Sequence, residues 1–266
     1  MSIKVERDGA VAIVTIDRPA ARNAIDPATA IGLFAAFRDV EADDALSVGV
    51  LTGAGGHFCA GADLKAVGSA TPFTPAAVGA GPLGPSRLLS DTAHAEAGVS
   101  LSKPWIAAVE GHAVAGGLEL ALLADLRVAA DSSVFGVYCR RWGVPLIDGG
   151  TVRLPRIIGQ GRALDMILTG RGVGGREAFE WGLANRLVRD GAALDAALAL
   201  AREIARFPQA CLRADRASAF ASWSRDLHDA LLREGVRGAP IVALEGKAGA
   251  ARFASGKGRA GDFEEI

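Results

Sequence analysis

Two glycine-rich turns, each directly after a run of β-branched and other apolar residues, constrain the fold of this chain most strongly. The first turn covers residues 57–65 with the sequence HFCAGADLK, and the second covers residues 111–121 with the sequence GHAVAGGLELA. Glycine lets a backbone approach a ligand closely and adopt conformations that are closed to other residues. Both turns are therefore candidates for places where the backbone meets a ligand.

Apolar runs typical of strands alternate with helical patterns along the first 190 residues. Strand character is found in residues 11–16, 46–52, 105–110 and 126–129, and apolar residues at helical spacing in 29–40 and 116–124. Strands that alternate with helices indicate βα units and an α/β fold.

The pattern changes after about residue 190, where the strands cease. Helical segments continue near residues 209–220, 224–236 and 240–254. We therefore predict an α/β core over residues 1–195 and a helical C-terminal region over residues 196–266. Residues 66–86 are rich in Gly, Pro, Ala and Thr, which predicts a mobile loop.

Composition and charge exclude several classes of function. Lys and Arg number 29 against 30 Asp and Glu, whereas binding of nucleic-acid phosphates needs an excess of cations. No run reaches the roughly 20 apolar residues that span a bilayer, and the N-terminus lacks the features of a signal peptide. Cys59, Cys139 and Cys211 form no CxxC pair, which argues against a disulfide framework or a zinc site. We expect a cytoplasmic protein without a nucleic-acid partner, a membrane span or a metal.

Gly116 and Glu119 lie three residues apart in the first turn of the helix that follows the second glycine-rich turn. Residues at this spacing share a helical face, so the Gly116 N–H and the Glu119 carboxylate can address one site. The first N–H groups of a helix have no internal acceptor, and the helix dipole favours negative charge beside them. The pair suits proton transfer next to a carbonyl, in which the N–H group holds the oxyanion and the carboxylate moves the proton.

Both residues also have purely structural explanations. A Gly-Gly pair at a helix start often serves packing, and a Glu in the first turn is often a surface residue that the dipole favours. The residues around Glu119, however, are Leu118 and the run LALL over 120–123, so the helix is expected to be buried all round. A buried carboxylate is costly without partners, which favours a function.

Four segments together resemble the crotonase (enoyl-CoA hydratase/isomerase) family. HFCAGADLK resembles its first oxyanion-hole turn, and EGHAVAGGLELALLADLRVAA its second. GGTVRLPRIIG followed by ALDMILTGR resembles the segment that closes the active site, and DRPAARNAI resembles the turn that contacts coenzyme A. The resemblance implies a spiral core of repeated ββα units, a helical C-terminal region, and homotrimers or dimers of trimers.

The resemblance also implies roles for individual residues. Ala62 and Gly116 provide the two oxyanion-hole N–H groups, and Glu119 is the general base and acid. Coenzyme A is part of the substrate, so no separate cofactor is expected. The residues expected to contact it are Arg22, Ala60, Asp63, Leu64 and Lys65. For Arg22 and Lys65 a solvated surface position is an equal alternative.

The chain departs from the family's hydratases at the second of the two glutamates that hold water. Cys139 occupies that position, either as a small packing residue or as a thiolate activated by Arg140 and Arg141. Asp148 is the nearest carboxylate in the sequence, and it is either the second acid/base or a turn cap ahead of Gly149. The histidines at 57 and 112 are expected to be structural.

The expected function is reversible addition of water to a 2-enoyl-CoA thioester through an enolate that the oxyanion hole stabilises. Migration of a double bond is the alternative within the same class, and a non-catalytic acyl-CoA-binding protein is the alternative from another class. The intact Glu119 favours an enzyme. The apolar C-terminal helices are too extensive to remain exposed, which favours the trimer-based assembly.

Overall fold

The computed structural model of the protein describes residues 2–67, 83–85 and 101–258. The strands in these ranges are β1 (Ile3–Asp8), β2 (Val11–Ile16), β3 (Val48–Gly53), β4 (Trp105–Val109), β5 (His112–Val114), β6 (Leu126–Ala130), β7 (Val134–Gly136), β8 (Gly172–Gly174) and β9 (Arg186–Val188). The α-helices are α1 (Pro27–Ala42), α2 (Leu64–Val67), α3 (Gly116–Leu123), α4 (Gly150–Ile158), α5 (Gln160–Thr169), α6 (Gly175–Glu180), α7 (Ala193–Arg206), α8 (Gln209–Ala221), α9 (Leu227–Ile241) and α10 (Lys247–Ala254). Shorter helical turns cover Pro19–Ala21, Tyr138–Trp142 and Ser222–Ser224, and a π-helix, Val242–Gly246, joins α9 to α10.

The strands form a large sheet of order β1-β2-β3-β4-β6-β9 and a small sheet of order β5-β7-β8. In the large sheet β1 is antiparallel to β2 and the other pairs are parallel. Consecutive units place one strand in each sheet and then a helix: β4, β5 and α3 are followed by β6, β7 and α4. This repetition of ββα units agrees with the α/β fold that the sequence predicts.

Helices cover both faces of the large sheet, which explains why its central strands are apolar throughout. On one face α1 contributes Leu33, Phe37 and Val40 to the core. The Phe37 ring stacks on the Trp105 ring of β4, with the centroids 3.6 Å apart. On the other face, α7 packs through a stripe of small residues, Ala193, Ala197 and Ala201.

The helical C-terminal region agrees closely with the predicted segments, and it is fastened to the core through α8. Arg216 of α8 donates to the Asp125 carboxylate at 2.8 Å and to the Leu101 carbonyl at 2.6 Å. The predicted division into residues 1–195 and 196–266 remains a prediction, and its boundary falls inside α7. None of the helices in the described ranges is long and apolar enough to cross a membrane.

The loop expected over residues 66–86 lies mostly outside the described residues. At its beginning, residues 66 and 67 complete α2. Near its end, Leu83, Gly84 and Pro85 are buried. Leu83 packs on the backbone of Gly116, because a Cβ added to that glycine would lie 2.2 Å from Leu83 Cδ1.

Candidate active site

The second glycine-rich turn aims the Gly116 N–H away from α3. Ala115, just before the helix, has φ 53° and ψ −124°, a strained conformation for an L-residue. Its carbonyl accepts from the N–H groups of Leu118 and Glu119 inside the helix. Because the C=O and N–H of a trans peptide point in opposite directions, the Gly116 N–H points out of the helix start. No acceptor for this N–H lies among the described residues.

The first glycine-rich turn presents the Ala62 N–H by the same geometry. The Gly61 carbonyl accepts from Ile25 N–H at 2.8 Å, so the N–H of the following Ala62 points away from Ile25. The described part of the chain offers this N–H no acceptor. The two turns are in contact, since a Cβ added to Gly61 (φ 92°) would lie 2.8 Å from the Gly116 nitrogen. The structure therefore brings Ala62 and Gly116 together, as the sequence predicts.

The Glu119 carboxylate is buried on the inward face of α3, with 2 % of the residue exposed. Its Oε1 accepts from the Asp148 N–H at 2.9 Å and from the Gly150 N–H at 2.8 Å. Both bonds reach the same oxygen, and Oε2 has no donor among the described residues. One oxygen therefore anchors the group, while the other is available to exchange a proton.

Burial raises the pKa of Glu119 to about 7, and the nearby charge of Asp148 adds to the effect. The N–H groups of Gly150 and Asp148 and the charge of Arg153 oppose it by favouring the carboxylate form. A pKa near neutrality is the value at which one group can both accept and donate a proton under ordinary conditions.

Asp148 lies beside Glu119 and is also buried. Its backbone N–H holds Glu119, and its Oδ1 is 3.5 Å from the N–H of Leu83. The residue predicted as a second acid/base is thus in the same pocket as the first. Both interpretations of its side chain, acid/base and turn cap, remain predictions.

Arg153 is a site residue that the sequence analysis missed. Its Nη1 donates to the Asp148 carbonyl at 3.1 Å, which braces the segment whose N–H groups hold Glu119. Burial lowers the pKa of Arg153 to about 10, while the charges of Glu119 and Asp148 act to raise it. The position is three residues after Gly150 in α4, so helical spacing could have placed it on the face that carries the Glu119 contact.

Cys139 lies in the helical turn Tyr138–Trp142, where its thiol is close enough to Glu119 to interact with its charge. Burial and that charge raise the pKa of the thiol. The guanidinium groups of Arg140 and Arg141 donate to the carbonyls of Ile167 and Gly170. The thiol is therefore held in its protonated form, which favours the packing interpretation over an activated thiolate.

The two histidines of the glycine-rich turns contact each other, with the Nδ1 atoms of His57 and His112 3.3 Å apart. Burial lowers the pKa of His112, and the charges of His57 and Arg22 lower it further. The structural role expected for both histidines remains a prediction.

The residues expected to contact coenzyme A lie on or beside the first turn. The Arg22 carbonyl accepts from the Ala60 N–H at 3.0 Å, which places Arg22 next to that turn. Leu64 and Lys65 are exposed at the start of α2. Asp63, in contrast, is bound to Arg18 at 3.2 Å. Contact with coenzyme A remains a prediction for all five residues.

Comparison with known proteins identifies the family. The model of the enoyl-CoA hydratase/isomerase family matches residues 6–254. The chain belongs to this family. It is 44% identical over 200 residues to the enoyl-CoA hydratase EchA19 of Mycobacterium tuberculosis, over 75% of this chain and 73% of that protein. It is 39% identical over 207 residues to the carnitinyl-CoA dehydratase of Salmonella arizonae, over 76% and 74% of the two chains.

A solved structure of the family's enoyl-CoA hydratase EchA1 from Mycobacterium marinum superimposes with a TM-score of 0.85. The match covers 96% of both chains at 38% identity. The crotonase-type fold and the family membership expected from the sequence are thereby confirmed.

The raised pKa of Glu119 predicts a pH dependence of stability. The folded state keeps this proton up to about pH 7, whereas an unperturbed Glu releases it near 4.5. The stability contribution of Glu119 is therefore fully present below pH 4.5 and lost as the pH rises through 7. Glutamine does not titrate, so Glu119→Gln does not suffer this loss. Its free energy of unfolding should therefore rise relative to that of wild type from pH ~5 to pH ~8, by up to about 3 kcal/mol. Urea unfolding at both pH values tests this, and an unchanged difference would contradict it.

Proposed function

We propose that the protein is an enoyl-CoA hydratase, which adds water reversibly across the 2,3 double bond of a 2-enoyl-CoA thioester. The observation that carries the proposal is the arrangement at the start of α3. Two N–H groups without acceptors among the described residues, those of Ala62 and Gly116, lie on turns that are in contact, and Glu119 follows three residues after Gly116. Two relatives, an enoyl-CoA hydratase and a carnitinyl-CoA dehydratase, support the same type of reaction.

In this mechanism the thioester oxygen binds between the Ala62 and Gly116 N–H groups. Glu119 Oε2 takes a proton from water as the water oxygen bonds to C3, and the electrons of the double bond move onto the thioester oxygen. The two N–H groups and the start of α3 stabilise the resulting enolate oxyanion, where they act most strongly because water is excluded. Return of a proton to C2 then completes the 3-hydroxyacyl thioester.

The proton for C2 has two possible donors in the pocket. Glu119 can return the proton that it took, because its pKa lies near neutrality. Asp148 can serve as a second group, since it is buried beside Glu119. Two carboxylates this close repel each other when both are ionised, which favours a state with one proton in the pair.

The second candidate function is isomerisation of an enoyl-CoA, and the observation that favours it is Cys139. Family hydratases are expected to have a second glutamate at that position, whereas this pocket has a protonated thiol. Moving a double bond needs one base and no ordered water, and Glu119 alone meets that requirement. A non-catalytic acyl-CoA-binding protein is disfavoured, because it would have no use for a buried carboxylate with a pKa near 7.

Loss of the Glu119 carboxylate tests the proposed function. Glu119→Gln keeps an oxygen for the Asp148 and Gly150 N–H groups but removes the proton-exchanging group. We expect turnover of crotonyl-CoA to fall by roughly 10²–10⁴, with thioester binding largely retained. Glu110→Gln is the matched control, because Glu110 accepts from the Ala193 N–H and has no part in the proposed site. Near-normal turnover of Glu119→Gln would remove the central residue of this mechanism.

Substitution at Cys139 tests which reaction the pocket favours. Cys139→Glu restores a second carboxylate, and we expect it to raise the ratio of hydration to isomerisation. Cys139→Gln is the control for size without charge and should leave the ratio close to the wild-type value. Asp148→Asn should lower whichever activity the wild type has. The measurement is the rate of each product from crotonyl-CoA and 3-hexenoyl-CoA. Efficient wild-type hydration that Asp148→Asn leaves unchanged would show that Asp148 is not the second acid.

We also propose a homotrimer or dimer of trimers. Support comes from the large apolar side chains that α9, the π-helix and α10 leave exposed: Leu227, Leu231, Leu232, Val236, Val242, Leu244 and Phe253. An apolar surface of this kind marks an interface between proteins. A cytoplasmic location is proposed with it, because the three cysteines are unpaired.

Light scattering at micromolar concentration should give the mass of a trimer or hexamer. The double substitution Leu231→Glu with Leu232→Glu should shift that mass towards the monomer, since it places charges in the proposed interface. Ile31→Glu is the control, because Ile31 is also a large exposed apolar residue but lies on α1. A wild-type protein that is a stable monomer would rule the assembly out.

A further inference from the structure

Arg18, just after β2, connects two segments that are distant in sequence. Its guanidinium Nη2 lies 3.0 Å from the Asp26 carboxylate and 3.2 Å from the Asp63 carboxylate. Its Nη1 donates to the carbonyl of Ala24. The three side chains are half-buried, so water screens these interactions only in part. Arg18 thus binds Ala24 and Asp26, the residues on either side of Ile25, and also Asp63 of the first glycine-rich turn.

Ile25 is the residue that sets the direction of the Ala62 N–H. It donates to the Gly61 carbonyl and accepts from the Asp63 N–H, each at 2.8 Å. The planar Gly61–Ala62 peptide is therefore held by one end at Ile25, and its N–H end faces the pocket. A change in how segment 24–26 lies against Asp63 would rotate this peptide.

The buried side chain of Asn23 also holds segment 18–26 against the first glycine-rich turn. It is fully buried, accepts from the Arg18 N–H at 2.9 Å, and donates to the carbonyls of Ala54 and His57 at 2.8 and 2.6 Å. Segment 18–26 is therefore tied both to the residues that precede the first glycine-rich turn and to Asp63 near its end. Only the ties to Asp26 and Asp63 are ionic.

We propose that Arg18 is a positioning residue for the oxyanion hole: its ion pair with Asp63 fixes the direction of the Ala62 N–H. The inference rests on the proposed function and assigns Asp63 a structural task in place of contact with coenzyme A. A free carboxylate would repel the phosphates of coenzyme A, whereas Asp63 is paired with Arg18, which it shares with Asp26. Its other oxygen accepts from the Lys65 N–H at 3.2 Å, which supports the start of α2.

Asp63→Asn is the most direct test, because the amide keeps the shape and the oxygen for Lys65 while it removes the charge. Removal of a whole oxyanion donor costs about 10²–10³ in turnover, so a misaligned donor should cost roughly tenfold. We expect kcat to fall by about that factor with KM within about threefold of wild type, because misalignment weakens transition-state stabilisation more than ground-state binding. Arg18→Gln should have the same effect, and Arg18→Lys a smaller one.

A spectroscopic probe distinguishes misalignment of the oxyanion hole from a general loss of protein structure. In 4-dimethylaminocinnamoyl-CoA, hydrogen bonds to the thioester oxygen draw charge from the amino group and move the absorbance to longer wavelength. We expect a large shift on binding to wild type and a smaller shift at saturation in Asp63→Asn and Arg18→Gln, with the dissociation constant little changed. Arg202→Gln is the matched control: it removes the long-range ion pair between Arg202 of α7 and Asp8 of β1, and it should preserve the shift and kcat.

The outcomes distinguish the inference from the function on which it rests. A full shift and wild-type kcat in Asp63→Asn would overturn the positioning role and leave the proposed function intact. Absence of any shift in wild type that binds the probe would overturn the proposed oxyanion hole itself. If Arg18→Gln does not fold, as judged by circular dichroism, Asp63→Asn and Arg18→Lys decide the question.

Discussion

Burial of the Glu119 carboxylate is the constraint on which the rest of the pocket depends. An ionised carboxylate in an apolar helix is costly, and the chain limits that cost with two backbone N–H groups on one oxygen and a buried guanidinium nearby. These contacts moderate the effect of burial, so the pKa stays near 7. At this pKa the carboxyl group can both bind and release a proton near neutral pH. A carboxylate with donors on both oxygens would have a lower pKa and would stay ionised.

Backbone geometry supplies the other half of the site, and it depends on close approach between chain segments. A Cβ on Gly117 would lie 2.0 Å from the Cys59 carbonyl, and one on Gly150 would lie 2.9 Å from Glu119 Oε1. The strained Ala115 is held on both sides: its N–H donates to the Gly136 carbonyl at 2.8 Å, and its carbonyl, in the peptide that carries the Gly116 N–H, accepts from Leu118 and Glu119. Small residues at these positions allow the backbone segments to approach each other closely.

The sequence allowed prediction of the features that depend on neighbouring residues along the chain. Central strands such as β4 are continuous apolar runs, and Gly116 and Glu119 lie about one turn apart at the start of α3. The Arg18–Asp63 pair was not predicted, since its members lie 45 residues apart and are brought together by the path of the chain. In the sequence, Asp63 belongs to a turn that resembles a ligand-binding motif, which suggests contact with coenzyme A. Its pairing with Arg18 becomes visible only in the folded structure.

The charges of the pocket connect this geometry to the choice of reaction. Glu119, Asp148 and Arg153 together carry one net negative charge when both carboxylates are ionised, and none when one proton is bound. An enolate adds a negative charge close by, so the protonated form of the pair becomes more favourable as the oxyanion develops. In the proposed mechanism, this change would keep the proton taken from water at the site until it is transferred to C2. A neutral thiol at 139 keeps this balance, whereas a third carboxylate would change it, so Cys139 and the pKa of Glu119 belong to one electrostatic arrangement.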